Sequence, residues 1–405
     1  MSVPRKMTFF FFYLSTVLVC DGVFDCSDGS DEENCETDQE MPQQNGNIAG
    51  KGDPSSTPSL NQFIIASDSH ILWTNIKKME KNNVTLLASV GPAKIENVAT
   101  LGGVDTMYFS VSNKDKDNMD ILELDTRNGH IRRIITSESV GSVAYDPYTK
   151  NLFWVDNKNA TIMITSIVTG SSMVLLDVTS YTRGLLFVPE KKRLIVAQYK
   201  DISIVNLSDR THKKISYYGF AYGISTLKGM VFSPVHDSIF MLFDSCLINF
   251  DMENNEPFTT LTKNEQIQEA TNLAQQDNKI FGVTYIIDIM AQSTDSLYAL
   301  KLYSMDINTN KIEQNILEFV NSYVAGNNMH LFRPSTESTP DSPCLEVIIL
   351  YPVTQIILYP DIKDGWRCSH VCLNTDDDAM VCTCPHGMEL DTDDDYTCVK
   401  AGWKL

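Results

Sequence analysis

Between positions 97 and 285 the chain alternates short apolar runs with polar turns on a regular beat. Three stretches align with almost no gaps: VGSVAYDPYTKNLFWVD (140–156), TRGLLFVPEKKRLIVAQ (182–198) and LKGMVFSPVHDSIFMLF (227–243). Each holds a glycine, four mostly apolar residues, a proline-containing turn and a second apolar run. Fainter copies, NVATLGGVDTMYFSV (97–111) and NLAQQDNKIFGVTY (272–285), set the second run near positions 109, 154, 196, 241 and 282. The runs are short, rich in Val, Ile, Phe and Tyr, and bounded by Gly, Pro, Asp or Asn, which predicts strands. Further strands follow inside each unit, as in ATIMITSIV, ISIVNLS and CLINFDM. A repeat of about forty residues holding about four strands is the mark of a propeller blade. Horseshoe and helical solenoids need leucine-rich or amphipathic helical periodicity, which this sequence does not carry.

FIIASDSHILWTNI (63–76) at the front and YVAGNNMHLFRP (323–334) at the back can share one more blade. Joining the first strand to the last closes the ring and removes exposed sheet edges. The expectation is a mainly β protein built on a six-bladed propeller over 61–334.

What flanks the ring is of a different character. Arg5 and Lys6 precede the apolar run Thr8 to Val19, which reads as a secretory signal over 1–19. No later stretch of about twenty apolar residues is present, so no membrane anchor is visible and the chain reads as secreted or as a truncated ectodomain. The ten cysteines fall into Cys20, Cys26 and Cys35, a lone Cys246, and a cluster at Cys344, Cys368, Cys372, Cys382, Cys384 and Cys398. In an exported chain such clusters staple modules too small to hold a core, while the middle is stabilised by burial. Zinc is the rival reading of the second cluster, but paired Cys-x-x-Cys knuckles are missing. Cys246 reads as a buried small apolar residue. Sequons at Asn83, Asn159 and Asn206 are candidate glycosylation sites and agree with export.

A formal net charge of −20 excludes nucleic acid as a general partner and favours basic partners or cations. Propellers also host hydrolases, yet no converging carboxylates, nucleophile elbow or metal-binding histidine pair is marked in the sequence. No enzyme activity is expected, and His70, His130, His212, His236 and His330 read as strand or turn residues.

Together, an acidic cysteine segment, a glycine-led repeat ending in an aromatic strand and a final cysteine module resemble the LDL receptor superfamily. That family repeats a Tyr-Trp-Thr-Asp signature, and here the segments are MYFSV, LFWVD, LIVAQ, IFMLF and IFGVT. Only Leu152 to Asp156 comes close. The family's blade-linking aspartate falls on Val111, Asp156, Gln198, Phe243 and Thr284, so apolar packing is expected to carry the ring. CDGVFDCSDGSDEENC (20–35) resembles the second half of a class A repeat, the first half being absent. The resemblance implies a Cys20–Cys35 bridge and a weakened calcium site with side chains of Asp21, Asp25, Asp31 and Glu32 and carbonyls of Leu18 and Val23. Cys26 is left without its family partner.

CSHVCLNTDDDAMVCTCPHGMELDTDDDYTC resembles an EGF-like domain, here 344–399, with an insertion at 345–365. Polar linkers cover 36–60 and 335–343. Family pairing implies Cys344 with Cys372, Cys368 with Cys382 and Cys384 with Cys398. The function so implied is the extracellular ligand-binding core of an endocytic lipoprotein or yolk-protein (vitellogenin) receptor, docking basic surfaces of cargo through calcium-ordered carboxylates. In such relatives propeller histidines can assist release as the pH falls. The rival is a matrix or signalling protein that binds through a propeller face without calcium.

Overall fold

The structure is a computed structural model that describes residues 62–332 and 368–401, apart from 68, 76–83, 100–105, 114–117, 179–181, 208, 217–225, 245, 253–258, 263–269, 277, 288–297, 320–328 and 375–379. All of them belong to one compact unit, Ser56–Leu405. The signal segment, the class A stretch with Cys20, Cys26, Cys35, Asp21, Asp25, Asp31, Glu32, Leu18 and Val23, the sequon residue Asn83, and Cys344 lie outside the described residues.

Described strands β1 (Gln62–Ser67), β2 (His70–Asn75) and β3 (Val84–Ser89) open the first blade. The second holds β4 (Lys94–Val98), β5 (Thr106–Ser112), β6 (Met119–Asp125) and β7 (Ile131–Ser137); the third holds β8 (Val140–Asp146), β9 (Asn151–Asp156), β10 (Thr161–Ser166) and β11 (Ser172–Asp177). The fourth has β12 (Gly184–Val188), β13 (Arg193–Ala197), β14 (Asp201–Asn206) and β15 (His212–Ser216), and the fifth β16 (Leu227–Ser233), β17 (Ser238–Phe243), β18 (Leu247–Asp251) and β19 (Thr259–Thr262). β20 (Asn272–Gln276), β21 (Lys279–Ile287), β22 (Tyr298–Asp306) and β23 (Ile312–Phe319) make the sixth. The last ring strand, β24 (Met329–Phe332), pairs antiparallel with β1, with Ile64 opposite Phe332, and completes the first blade. The ring is therefore closed by its two ends, as the repeat pattern predicts.

The unbroken apolar runs follow from burial on both faces, since successive strand residues point to opposite sides. In β17, Ile239, Met241 and Phe243 pack against the fourth blade, while Phe240 and Leu242 pack against the sixth. In β9, Leu152 and Trp154 face the second blade and Phe153 and Val155 the fourth. Seams of this kind join blades one to two, two to three, three to four, four to five and five to six. Burying one such side chain stabilises by about 1.5–3 kcal/mol. Cys246 sits in one seam, 1% exposed, as a small apolar residue would.

The glycine that leads the fifth blade has a steric cause. A Cβ on Gly229 would lie 2.6 Å from Asn272 Oδ1 and 3.0 Å from the Leu273 amide of the next blade, so the inner strands approach too closely for any side chain.

Hairpin turns use one device repeatedly. An aspartate ends the strand and accepts amide hydrogens two or three residues on, as Asp125, Asp146, Asp156 and Asp306 do, and a left-handed residue re-enters the next strand. Lys150 (φ 51°), Ala160 (φ 52°) and Asn310 (φ 56°) occupy that left-handed position.

After the ring come β25 (Val371–Asn374) with β26 (Met380–Thr383), and β27 (Met388–Leu390) with β28 (Cys398–Lys400), two small antiparallel sheets. Disulfides join Cys368 to Cys382 and Cys384 to Cys398, and Cys372 is disulfide-bonded too. This disulfide-stapled build is consistent with an EGF-like module.

Candidate protein-interaction platform

The cysteine-stapled module is seated on the ring rather than tethered beside it. Val371 and Leu373 of β25 are fully or nearly fully buried in the seam between blades three and four, among Phe153, Ile164 and Leu175. Polar contacts fix the seat. Asn151 Nδ2 donates to the Cys372 carbonyl at 2.6 Å, Thr169 Oγ1 to the His370 carbonyl at 2.7 Å, and Arg210 Nη2 to Thr383 Oγ1 at 2.8 Å. Apolar and polar contacts together hold the module against the ring.

Beneath this seat lies a buried chain of polar groups. Asn151 also donates to Thr149 Oγ1 at 2.8 Å, Thr149 Oγ1 donates to Asp146 Oδ2 at 2.5 Å, and the Tyr148 amide donates to Asp146 Oδ1 at 2.9 Å. Asp146, Thr149 and Asn151 are each no more than 1% exposed. Desolvation by burial pushes the Asp146 carboxyl up to about 6, against the lowering bonds from Thr149 and Tyr148. None of these residues is marked by the sequence reading. The signal was present, since DPYTKN is the one turn among the three aligned repeats that combines Asp, Thr and Asn.

At the positions of the family's blade-linking aspartate, Val111, Gln198 and Phe243 are buried and Thr284 is half-buried. Among the described residues, Asp156 accepts side-chain bonds from its own turn, from the amides of Lys158 and Asn159 at 3.0 and 3.2 Å and from Asn159 Nδ2 at 2.7 Å. Polar ties between blades exist at other places. Ser142 Oγ of blade three accepts the Leu185 amide of blade four at 2.9 Å, and Lys191 pairs with Asp237 of blade five at 2.8 Å.

The predicted site residues within the described part are spread out. Asn159 is exposed on its turn, with its amide held by Asp156, and Asn206 ends β14 beside a surface recess. Burial lowers the pKa of His70, and of His370 in the docked module. His236 meets the edge of Phe240 at 6.5 Å, His130 sits in a turn, and His212 lies on the outer strand β15. Among the described residues no group of His, Cys, Asp and Glu is placed to hold a metal ion, and no helix is long and apolar enough to cross a membrane.

No protein-family model matches the chain. It is 22% identical over 286 residues to a vitellogenin receptor from Solenopsis invicta, an alignment that covers 69% of this chain and 15% of the length of that receptor. Among solved structures, the chain is similar to one in the crystal structure of a nidogen/laminin complex, with a TM-score of 0.55, 12% identity, and coverage of 68% of this chain and 99% of that one. A calcium-binding regucalcin from Agrobacterium tumefaciens overlaps more poorly, at a TM-score of 0.37 over 45% of this chain, too low a likeness to carry its metal over. In its closed six-bladed ring and disulfide-stapled final module the chain resembles the LDL-receptor-like proteins, and in sequence it is similar to a vitellogenin receptor.

Proposed function

We propose that this chain is the extracellular ligand-binding core of an endocytic receptor for lipoprotein or vitellogenin-like cargo, and that it catalyses no reaction. The observation that carries this reading is the seating of the cysteine-stapled module in the seam of blades three and four, supported by the likeness to a vitellogenin receptor. A ring closed end to end, with an appended module locked to it, offers a stiff frame that holds binding surfaces at fixed separation. Cargo is met through the carboxylates of Asp21, Asp25, Asp31 and Glu32, ordered by calcium, which suits lysine and arginine side chains. Glycans at the Asn83 and Asn159 sequons, export and endocytosis belong to the same reading. The test is a pull-down from yolk or circulating fluid with the full chain, with and without a calcium chelator. Cargo captured only with calcium supports the proposal.

A second reading is favoured by the nidogen likeness, that of a matrix component gripping its partner through the propeller face without calcium. Its signature in the same pull-down is cargo retained in chelator and lost on substitution of ring residues.

A further inference from the structure

One blade departs from the acidic character of the chain. Blade four carries KKR at 191–193 on the turn between β12 and β13, and HKK at 212–214 on its outer strand. These segments meet around an open recess of about 450 Å³ on the side of the blade that faces blade five. Lys191, Arg193, His212 and Lys213 line it, and the half-buried aliphatic side chains of Ile204 and Met252 form its floor. Two carboxylates stand near. Asp237 takes the Lys191 ammonium at 2.8 Å, and Asp209, bonded to the Thr211 amide and hydroxyl at 2.9 and 2.7 Å, lies within the field of Arg193. Lys213 projects from the exposed strand β15, where it is opposite Ile204 in the register.

We propose that this recess binds a sulfated sugar of a linear acidic polysaccharide. Its volume falls in the ordinary range for small-ligand sites, and its rim of cations over an aliphatic floor matches a ring that carries anionic groups at its edges. Among the described residues no Phe, Tyr or Trp lines it, so it offers no broad platform for stacking a nucleobase. At a net charge of −20 the whole molecule repels polyanions, so retention on one requires a local site. The proposal is independent of the cargo reading, and the extracellular assignment matters only for where such a polysaccharide is met.

The strand geometry supplies the test. Lys213 faces the recess, while Lys214, its neighbour, is paired with Ser203 and points to the opposite side. The full chain is passed over immobilised heparin, with hyaluronan and single-stranded DNA as soluble competitors. We expect retention at about 0.15 M salt. Lys213→Glu weakens binding about tenfold or more, the worth of a charged hydrogen bond, and Lys214→Glu leaves it within about twofold, both variants keeping the wild-type melting temperature. Equal loss in both variants overturns the proposal, as does no retention or competition by hyaluronan or DNA as strong as by free heparin. Asn206 lines the same recess. A glycan found there by peptide mapping of the secreted protein fills the recess and overturns it as well.

Discussion

Two turns of the ring carry nearly the same message and end in opposite electrostatic states. Asp146-Pro-Tyr-Thr149-Lys150 joins β8 to β9, and Asp306-Ile-Asn-Thr309-Asn310 joins β22 to β23. In both, the threonine hydroxyl and a backbone amide donate to the aspartate, and the fifth residue is left-handed. Asp146 is buried near the seat of the docked module and its carboxyl rises to about 6, while Asp306 stays in contact with solvent and the Thr309 amide and hydroxyl hold it below the usual carboxylate range. Local sequence therefore sets the shape of the turn, and what packs over it sets the charge.

The largest way to break that pairing is Asp146→Ala. It strands the buried Thr149 hydroxyl and Tyr148 amide, at about 2 kcal/mol each, so chemical denaturation at pH 5 should show a loss of about 4 kcal/mol. The pH dependence comes next. A carboxyl whose folded pKa is raised contributes stability that is full below the ordinary carboxylate value and lost as the pH climbs through the folded one. For Asp146 the window runs from about pH 4 to about pH 6, with a span of about 3 kcal/mol at most, and Asp146→Asn should flatten it in melting curves taken across that range. Asp306 has the reverse sign. Its contribution is present above the usual range and fades as the pH falls through its lowered value.

Asn151→Ala sharpens the comparison from the side of the module. It leaves the buried Cys372 carbonyl without its donor, costs about 2 kcal/mol, and should expose residues 368–401 to limited proteolysis before the ring is cut. Smallest is Asp306→Ala, which should lower the melting temperature by no more than about 2 °C. If its effect equals that of Asp146→Ala, burial by the module is not what separates the two turns.

The ring was legible because its middle strands, such as β9 and β17, serve two neighbouring blades at once. Double burial turns a strand such as Ile239 to Phe243 into an unbroken apolar run, and the close approach at Gly229 fixes the glycine that leads that copy. Both are local signals that repeat. The seat at Asn151 and Cys372 was not legible, because it depends on how two segments more than two hundred residues apart come to rest on each other. The basic recess was hidden for the same reason, being assembled from turns at 191–193 and 211–213 together with Met252. Disulfide partners in the final module could be named only through family likeness, since six cysteines admit fifteen pairings.

The pairing of Ile64 with Phe332 carries a consequence for biosynthesis. A ribosome making this chain releases five whole sheets and three strands of another before the strand that zips the circle exists. Until that last strand emerges, β1 waits with an unclaimed edge, open to pairing with a second nascent copy. Assembly thus ends in one late, long-range step, slow by nature, and a stop codon placed just ahead of Met329 should yield a product that chaperones hold back.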